Sequence, residues 1–172
     1  MTLHIFNPEH DIALAYDNKY FTAPHAGRLL RHDLDYLPVL WAAEGDYVLV
    51  ENIGSAQQHA LRLQRYGEQV NFVSRNDVER LSEHIDNVSP WGWDAALKFQ
   101  LEQVGVKTAV LPTDKELADI RKLSNRQFSS TVLEGLQTQL ANPVLLGKAF
   151  YADCFAKLES MLQTIGKAVI KA

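Results

Sequence analysis

Residues 3–15 read LHIFNPEHDIALA, a short apolar run followed by a polar turn and a second apolar segment. Residues 3–6 have the composition of a buried strand. Asn7, Pro8 and Glu9 then supply residues that are common where a helix begins, and the helix would run through residues 12–15. The stretch therefore predicts a strand, a loop and a helix in immediate succession, which is how an α/β unit opens.

Three further runs look like buried strands, at residues 47–50, 70–73 and 108–111. Helical segments separate them. The first of these helices is expected to begin at Ser55 and to stop at Gly67, and the second to close at Gly105. Strands that alternate with helices predict parallel pairing through right-handed crossovers, and so an α/β fold whose sheet of about four strands is covered on both faces.

The pattern changes after Pro112. Thr113 and Glu116 have the spacing of a capping box, and helical segments follow as far as Gly166. Residues 167–172, KAVIKA, resume a strand-like alternation. We expect three parts: an α/β domain over 1–112, a helical connector over 113–166, and at 167–172 a strand that either extends the sheet edge or starts another domain.

Composition narrows the class of protein. The chain has 172 residues, 47% of them hydrophobic and 22% charged, with a net charge of -4. An acidic chain with scattered Lys and Arg argues against nucleic acid as a partner. No apolar run approaches the roughly 20 residues that span a bilayer, and no signal-peptide pattern is present. The single cysteine, Cys154, excludes an intramolecular disulfide and favours a reducing cytoplasm.

Four loops follow the predicted strands, at residues 7–11, 51–55, 74–77 and 112–114. In open parallel sheets, ligands bind at this carboxyl edge. The first loop is the most polar, and it has two interpretations that can coexist. Asn7 or Asp11 caps the next helix, or Asn7, Glu9 and Asp11 face a ligand while His10 acts as a general base, since the unperturbed pKa of histidine is about 6.5.

A metal site is a third interpretation of the same loop. It would use His10 and Asp11, with His25 or His32 brought in by folding. Adjacent side chains point apart on a helix or strand, so His10 and Asp11 would need a bent loop to share one ion. No HExxH or Cys/His array is present.

Residues 22–33, TAPHAGRLLRHD, predict a helix that begins at Pro24. His25, Arg28 and His32 then share one face. This cationic face is either part of an ion-pair network or an anion site in which Arg28 holds a substrate carboxylate or phosphate. Gly27 within the helix indicates close backbone packing or approach of a ligand.

Residues 89–94, SPWGWD, come before a predicted helix. The two tryptophans form either a packing corner, with Ser89 or Asp94 as a cap, or an aromatic wall in which Trp93 faces a ligand. No GxGxxG, GxxxxGK[ST] or GxSxG pattern occurs, so a self-contained nucleotide site or a serine hydrolase elbow is not expected.

Five motifs together resemble the N-terminal region of an uncharacterised bacterial family that is related to the ATP-grasp superfamily. They are LHIFNPEHDIALA, FTAPHAGRLLRHDL, LPVLWAAEGDYVLV, WGWDAAL and IRKLSNRQ. In their order they lie within residues 3–127, and the resemblance as a whole covers nearly the entire chain. The resemblance implies a Rossmann-like pre-ATP-grasp domain over 1–112, a connector over 113–166, and the start of a truncated ATP-grasp domain at 167–172.

The resemblance also implies a function, that of the substrate-side domain of an ATP-dependent carboxylate–amine or carboxylate–thiol ligase. ATP and Mg²⁺ would bind the full-length parent, with Lys171 on the ATP phosphates, and no cofactor is expected for the isolated chain. That chain should lack ligase activity, because the family's glycine-rich loop and magnesium carboxylates are absent from it. The small carboxylate substrate would meet a set of polar and aromatic side chains, namely Asn7, Glu9, Asp11, His25, Arg28, Trp93 and Arg126.

Two alternatives stay open beside the ligase interpretation. One is a small-molecule-binding or regulatory module without chemistry of its own. The other is a metal-dependent hydrolase built on His10, Asp11 and His25.

Overall fold

The computed structural model describes residues 1–63, 65–140 and 150–170. The chain divides into two compact units, Met1–Arg121 and Lys122–Ala172. Among the described residues, no helix is both long and apolar enough to cross a membrane.

A four-stranded sheet lies at the centre of the first unit. Its strands are β1 (Thr2–Ile5), β2 (Tyr47–Leu49), β3 (Asn71–Val73) and β4 (Asn87–Pro90). All pairs are parallel and the order is β3-β2-β1-β4. The predicted Rossmann-like α/β class is therefore confirmed. The chain moves outward from β1 to β3 and then returns to the other side of β1, so the strand order reverses between β1 and β4.

The fourth strand was predicted in the wrong place. Thr108–Val110 forms a turn of 3₁₀ helix, and the strand beside β1 is Asn87–Pro90. The sequence of β4, NVSP, carries one large apolar residue, Val88, which pairs with Leu3 of β1. Pro90 lies at the last position of a strand at one end of the sheet order, where a missing N–H is tolerated.

Six helices begin in the first unit. They are α1 (His10–Tyr16), α2 (His25–Leu34), α3 (Ile53–Leu61), α4 (Arg75–Leu81), α5 (Ala95–Gln103) and α6 (Asp114–Ser124). Short 3₁₀ turns lie at Leu37–Leu40, Ser82–His84 and Thr108–Val110. The predicted limits of α3 were wrong, because Asn52 is its N-cap and accepts a hydrogen bond from the Ser55 amide at 2.9 Å, while the helix ends at Leu61 rather than Gly67.

Two other helix starts are confirmed. Asp94 Oδ1 caps α5 by accepting hydrogen bonds from the amides of Ala96 and Leu97, both at 2.9 Å. Thr113 and Glu116 form the capping box of α6, with the Thr113 amide donating to Glu116 Oε2 at 2.7 Å and the Glu116 amide donating to Thr113 Oγ1 at 3.2 Å. Local spacing is enough to predict the capping box of α6, whereas for α5 the sequence left both Ser89 and Asp94 open and the structure selects Asp94.

Both faces of the sheet are buried. Leu3 and Ile5 of β1 belong to the main core cluster, in which Val78 of α4 and Leu97 of α5 also lie. Val48 belongs to a second cluster with members on the α3 side. Because side chains alternate along a strand, β2 contributes to both clusters. Leu3 has no exposed surface, and we expect truncation to alanine to cost about 2–5 kcal/mol.

The second unit contains α7 (Arg126–Gln139) and α8 (Phe155–Ile165). Gly166 ends α8 with φ of 82°, as predicted. Residues 167–170 adopt no regular secondary structure, so the expected strand is not formed there, and Lys171 lies outside the described residues. The predicted boundaries after 112 and 166 stay a prediction.

Candidate functional site

The loops after β1 and β4 are joined by the side chain of Asn7. Asn7 Nδ2 donates to the Gly92 carbonyl at 2.8 Å, and the Gly92 amide donates to Asn7 Oδ1 at 3.2 Å. Nδ2 also lies 3.4 Å from Asp94 Oδ2. Asn7 is buried, and its amide connects the two strand ends on either side of the point where the strand order reverses.

These contacts correct the interpretation of the first loop as a local cap. Helix α1 begins at His10 after Glu9, and no side chain caps it. Asp11 lies inside the helix, and its side chain is 83% exposed. Asn7 and Asp11 were therefore wrong as caps, since Asn7 makes its side-chain hydrogen bonds to the loop after β4.

An ion-pair network connects α2 to the ends of β1 and β2. Arg31 Nη1 lies 2.5 Å from Glu9 Oε1, and Arg31 Nε lies 3.7 Å from Glu51 Oε1. His32 Nδ1 lies 3.0 Å from Glu51 Oε2. The Glu51 amide donates to Asp35 Oδ2 at 2.7 Å, and burial raises the pKa of the Asp35 carboxyl. The network runs through Arg31, not through Arg28.

Arg28 has a different environment from Arg31. Its Nη1 donates to the Ala23 carbonyl at 2.5 Å. Its other guanidinium N–H groups meet no partner in the described part of the chain, and the residue is exposed. Arg28 thus keeps donors for an anion, whereas both charged partners of Arg31 are protein carboxylates.

A cavity of about 390 Å³ lies at the carboxyl ends of β1, β2 and β3. We call it the large cavity. Its floor is apolar and includes Leu49, Val50, Val78, Leu97, Leu101 and Val104. Its rim is polar and includes Arg31, Glu51, Ser74, Arg75, Asn76 and Gln100. Within the described residues the Arg75 side chain forms no ion pair or hydrogen bond.

A second cavity of about 130 Å³, the small cavity, adjoins the first. Four residues line both, namely Asn7, Arg31, Leu97 and Gln100. The charged residues that line the small cavity are Glu9, Arg28, Arg31 and Asp94. The two cavities therefore meet at a shared wall, and each has four charged residues in its lining, which in the large cavity are Arg31, Asp35, Glu51 and Arg75.

Glu9 is the most buried charged residue of the small cavity after Asp94, with 8% of its surface exposed. Its Oε1 accepts from Arg31, whereas its Oε2 is buried without a hydrogen-bond partner among the described residues. A Cβ added at Gly27 would lie 3.2 Å from Glu9 Cβ. Gly27 therefore allows α2 to approach the loop closely, which is one of the two roles expected for it.

The pKa of the buried Asp94 carboxyl and that of the Asp77 carboxyl at the start of α4 are shifted in opposite directions. Burial raises the pKa of Asp94, and the Leu97 and Ala96 amides oppose the rise. By contrast, the Ser74 hydroxyl and amide hydrogen bonds, with Arg80, lower the pKa of Asp77 to about 2 at the start of α4. Asp94 is thus a carboxylate that the fold holds at an electrostatic cost.

His10 packs against the loop after β4 and lines neither cavity. A Cβ at Gly92 would overlap its imidazole ring, so only glycine fits there. His10 Nε2 lies 3.4 Å from Asp11 Oδ1, and Nδ1 is buried without a partner among the described residues. Nothing in this arrangement places the ring against a bound substrate, and the general-base role stays a prediction.

The other expected site residues that the structure describes are His25, Trp93 and Arg126, and none of them lines either cavity. His25 is the exposed first residue of α2 and lines neither cavity. Trp93 is half-buried and packs against the main core cluster, which favours the packing-corner interpretation. Arg126 is the exposed first residue of α7 in the second unit. Lys171 lies outside the described residues.

Within the described residues, no three His, Cys, Asp or Glu side chains group into a set that could hold a metal ion. His10, Asp11 and His25 are all described, so the fold does not assemble them as metal ligands.

Several cavity residues were missed as individual site residues. Glu51 and Arg75 lie in two of the four loops that were expected at the carboxyl edge, so their position was available from the sequence. Gln100 carried no such signal, because its place depends on which face of α5 packs on the sheet. Arg31 and Arg28 lie on the same predicted helix, and only the packing of α2 decides which of them contacts Glu9.

Comparison of the chain with protein-family models, with curated proteins and with solved structures found no match. Chemically, the site combines an apolar floor, a guanidinium with available donors, and buried carboxylates at an adjoining wall. Such a combination suits the binding of a small organic acid.

Proposed function

We propose that the first unit binds a small carboxylic acid and is the substrate-side domain of an ATP-dependent carboxylate–amine or carboxylate–thiol ligase. One observation carries the binding part of this proposal. Two adjoining cavities open at the carboxyl edge of a parallel sheet, beside the reversal of strand order, where open α/β folds bind their ligands.

Arg28 is the residue that would hold the carboxylate. A guanidinium presents paired N–H donors that match the two oxygens of a carboxylate. One nitrogen of Arg28 is used by the Ala23 carbonyl, the remaining donors have no described partner, and the residue lines the small cavity. The available donors of Arg28 thus support an anionic group at this residue.

The large cavity would take the carbon skeleton of the acid. Its volume of about 390 Å³ falls in the lower part of the ~300–1,000 Å³ range of small-molecule pockets. Apolar atoms that leave water against this floor contribute about 25 cal/mol per Å² of buried surface. A short aliphatic or aromatic acid fits these dimensions better than a nucleotide or a polymer.

The ligase part of the proposal rests on the resemblance to the ATP-grasp-related family. The described residues do not themselves fit Mg-ATP, because the chain carries no glycine-rich phosphate loop and its described residues form no group of three metal ligands. Nucleotide and metal would therefore be held by another part of the parent protein, with Lys171 as the residue that the resemblance assigns to the phosphates. We also propose a cytoplasmic location, supported by the single cysteine, with neither nucleic acid nor membrane as partner.

Calorimetric titration of the 172-residue chain with a panel of short carboxylic acids tests the binding proposal. We expect at least one acid to bind, and Arg28→Gln to weaken it by about tenfold or more, the value of a charged hydrogen bond. Arg62→Gln is the matched control, since Arg62 caps α3 and lines neither cavity. Equal loss in both variants, or no binding by any acid, contradicts the proposal.

A second experiment tests the ligase chemistry separately. In the full-length parent, ADP should form only when Mg-ATP, the acid and an amine or thiol are present together. Binding of the acid without any acid-dependent ADP formation would leave a non-catalytic binding module. The position of His10 outside both cavities favours that second candidate.

A further inference from the structure

Glu9 carries a buried oxygen that has no hydrogen-bond partner in the described part of the chain. The residue lines the small cavity, 8% of its surface is exposed, and its Oε2 accepts no hydrogen bond within the described residues. A buried carboxylate oxygen without a donor costs free energy, and such groups in native proteins ordinarily meet a protein, water or ligand donor. The group that Oε2 lacks is therefore a hydrogen-bond donor, and the small cavity is the space that Glu9 lines.

We infer that the small cavity binds the ammonium group of an α-amino acid at Glu9, with the carboxylate of the same molecule at Arg28. This inference rests on the proposed function and names its substrate class. It makes the acid that the first unit binds an amino acid rather than a simple carboxylic acid.

The balance of charge in the small cavity supports a zwitterion. Its lining contains two carboxylates, Glu9 and Asp94, and two guanidiniums, Arg28 and Arg31. A bare anion or a bare cation would leave one unit of charge uncompensated in a partly buried space, which is costly. The head group of an α-amino acid has one charge of each sign and leaves the balance unchanged.

The size of the cavity supports the same occupant. Its volume of about 130 Å³ equals roughly four times the ~30 Å³ share of one water molecule. That is room for an ammonium, an α-carbon and a carboxylate. A side chain can extend from there past Leu97 and Gln100, which line both cavities.

The neighbouring large cavity indicates which side chain that is. Leu97 lines both cavities, and Leu101 and Val104 continue the apolar floor along α5. An aliphatic side chain on the amino acid would lie along this surface. The arrangement thus favours an apolar amino acid of about the size of leucine.

Three ligands of matched shape test the inference on the unmodified chain. They are L-leucine, 4-methylpentanoic acid, which lacks only the amino group, and 3-methylbutylamine, which lacks only the carboxylate. In calorimetric titrations of the 172-residue chain, we expect L-leucine to bind about tenfold or more tightly than either analogue, because each analogue gives up one charged hydrogen-bonded contact.

Glu9→Gln tests the assigned residue, since it keeps the size of the side chain and removes its charge. The variant should bind L-leucine and 4-methylpentanoic acid with equal affinity. Asp17→Asn is the matched control. It also removes a carboxylate paired with an arginine, Arg121 at 2.8 Å, but it lies outside both cavities and should keep the preference for leucine.

The outcomes separate this inference from the function on which it rests. If L-leucine and 4-methylpentanoic acid bind the unmodified chain equally well, the ammonium site is wrong and the carboxylic acid site stands. If the preference for leucine survives in Glu9→Gln, the assignment to Glu9 is wrong. If none of the panel of acids, including leucine, binds, both proposals fail. The ligand series needs no variant, so it decides the question even if Glu9→Gln does not fold.

Discussion

The small and the large cavity share a wall but are built from different kinds of residue. Asn7, Glu9 and Asp94 form a buried part of the polar wall of the small cavity, and Asn7 makes hydrogen bonds to a loop 85 positions away in the chain. The polar rim of the large cavity is exposed at Glu51 and Arg75, above an apolar floor. A buried polar wall contributes to the stability of the fold as well as to the site, whereas an exposed rim is free to serve the ligand alone.

The largest loss of stability is expected where His10, after β1, packs against the loop after β4. Gly92→Ala places a methyl group in the ring of His10, and we expect it to lower the free energy of unfolding by about 3 kcal/mol. Urea denaturation followed by circular dichroism measures this. Gly54→Ala is the control, because its nearest contact is an ordinary 3.6 Å and the position lies in α3, so it should be neutral or stabilising.

A double variant shows whether the ring is the cause. His10→Ala removes the imidazole, so adding it to Gly92→Ala should restore more than about 1 kcal/mol relative to the sum of the single changes. Strict additivity of the two changes would contradict the contact between His10 and Gly92.

Asn7→Ala is expected to cost less, about 2 kcal/mol, because it leaves the amide and carbonyl of Gly92 without their partner. The same denaturation experiment measures it. Asn18→Ala removes an exposed asparagine whose Oδ1 accepts from the Tyr20 amide, and it should change stability by less than about 0.5 kcal/mol. Similar costs for both variants would mean that the wall of the small cavity is no more structural than a surface turn.

The contributions of Asp94 and Asp77 to stability should depend on pH with opposite signs. Asp94 lines the small cavity, and Asp77 lies in the first turn of α4, next to residues that line the large cavity. Burial raises the pKa of Asp94 in the folded state, so the folded chain holds that proton more tightly. The contribution of Asp94 is then fully present below pH 3.8 and is lost as the pH rises through its folded pKa. For Asp77, with a pKa of about 2, the contribution is present above 3.8 and is lost as the pH falls toward 2.

Urea denaturation between pH 2.5 and about 6, at constant salt, measures these slopes. Asp94→Asn keeps the oxygen that caps α5, and we expect it to reduce the loss of stability as the pH rises. Asp77→Asn should reduce the loss as the pH falls. Parallel curves for Asp94→Asn and the unmodified chain would contradict the burial of an ionised Asp94.

The smallest change in stability is expected for a substitution at the rim of the large cavity. Arg75→Ala removes an exposed side chain without a described partner, and we expect stability to stay within about 0.5 kcal/mol of the unmodified chain. A thermal denaturation scan measures this. A loss comparable to that of Asn7→Ala would show that the rim is structural too and would remove the distinction between the two cavities.

The sequence correctly predicted those features of the fold that depend on residues close together in the chain. The first three strands and the capping box of Thr113 and Glu116 follow from local pattern, and Asp94 was one of two caps that the sequence allowed for α5. The fourth strand did not, because Asn87–Pro90 is mostly polar and becomes a strand only by pairing with β1. A run such as 108–111 looks like a strand in isolation, yet it forms a 3₁₀ turn.

The features of the site divide in the same way, into those set by local sequence and those set by the packing of distant segments. The polar loop after β1 and the cationic helix α2 were found from residue type and spacing. That Asn7 holds Gly92, and that Arg31 rather than Arg28 meets Glu9, depends on how distant segments pack, and one sequence does not contain this directly.

Side-chain amide signals in ¹H–¹⁵N spectra test most directly whether a small carboxylic acid occupies the two adjoining cavities. Asn7 and Gln100 line both cavities, while Asn71 lies at the amino end of β3 and lines neither cavity. On titration with 4-methylpentanoic acid, we expect the signals of Asn7 and Gln100 to shift together to saturation while that of Asn71 stays in place. Unmoved signals for Asn7 and Gln100 at the highest concentration, or an equal shift of Asn71, would contradict the account.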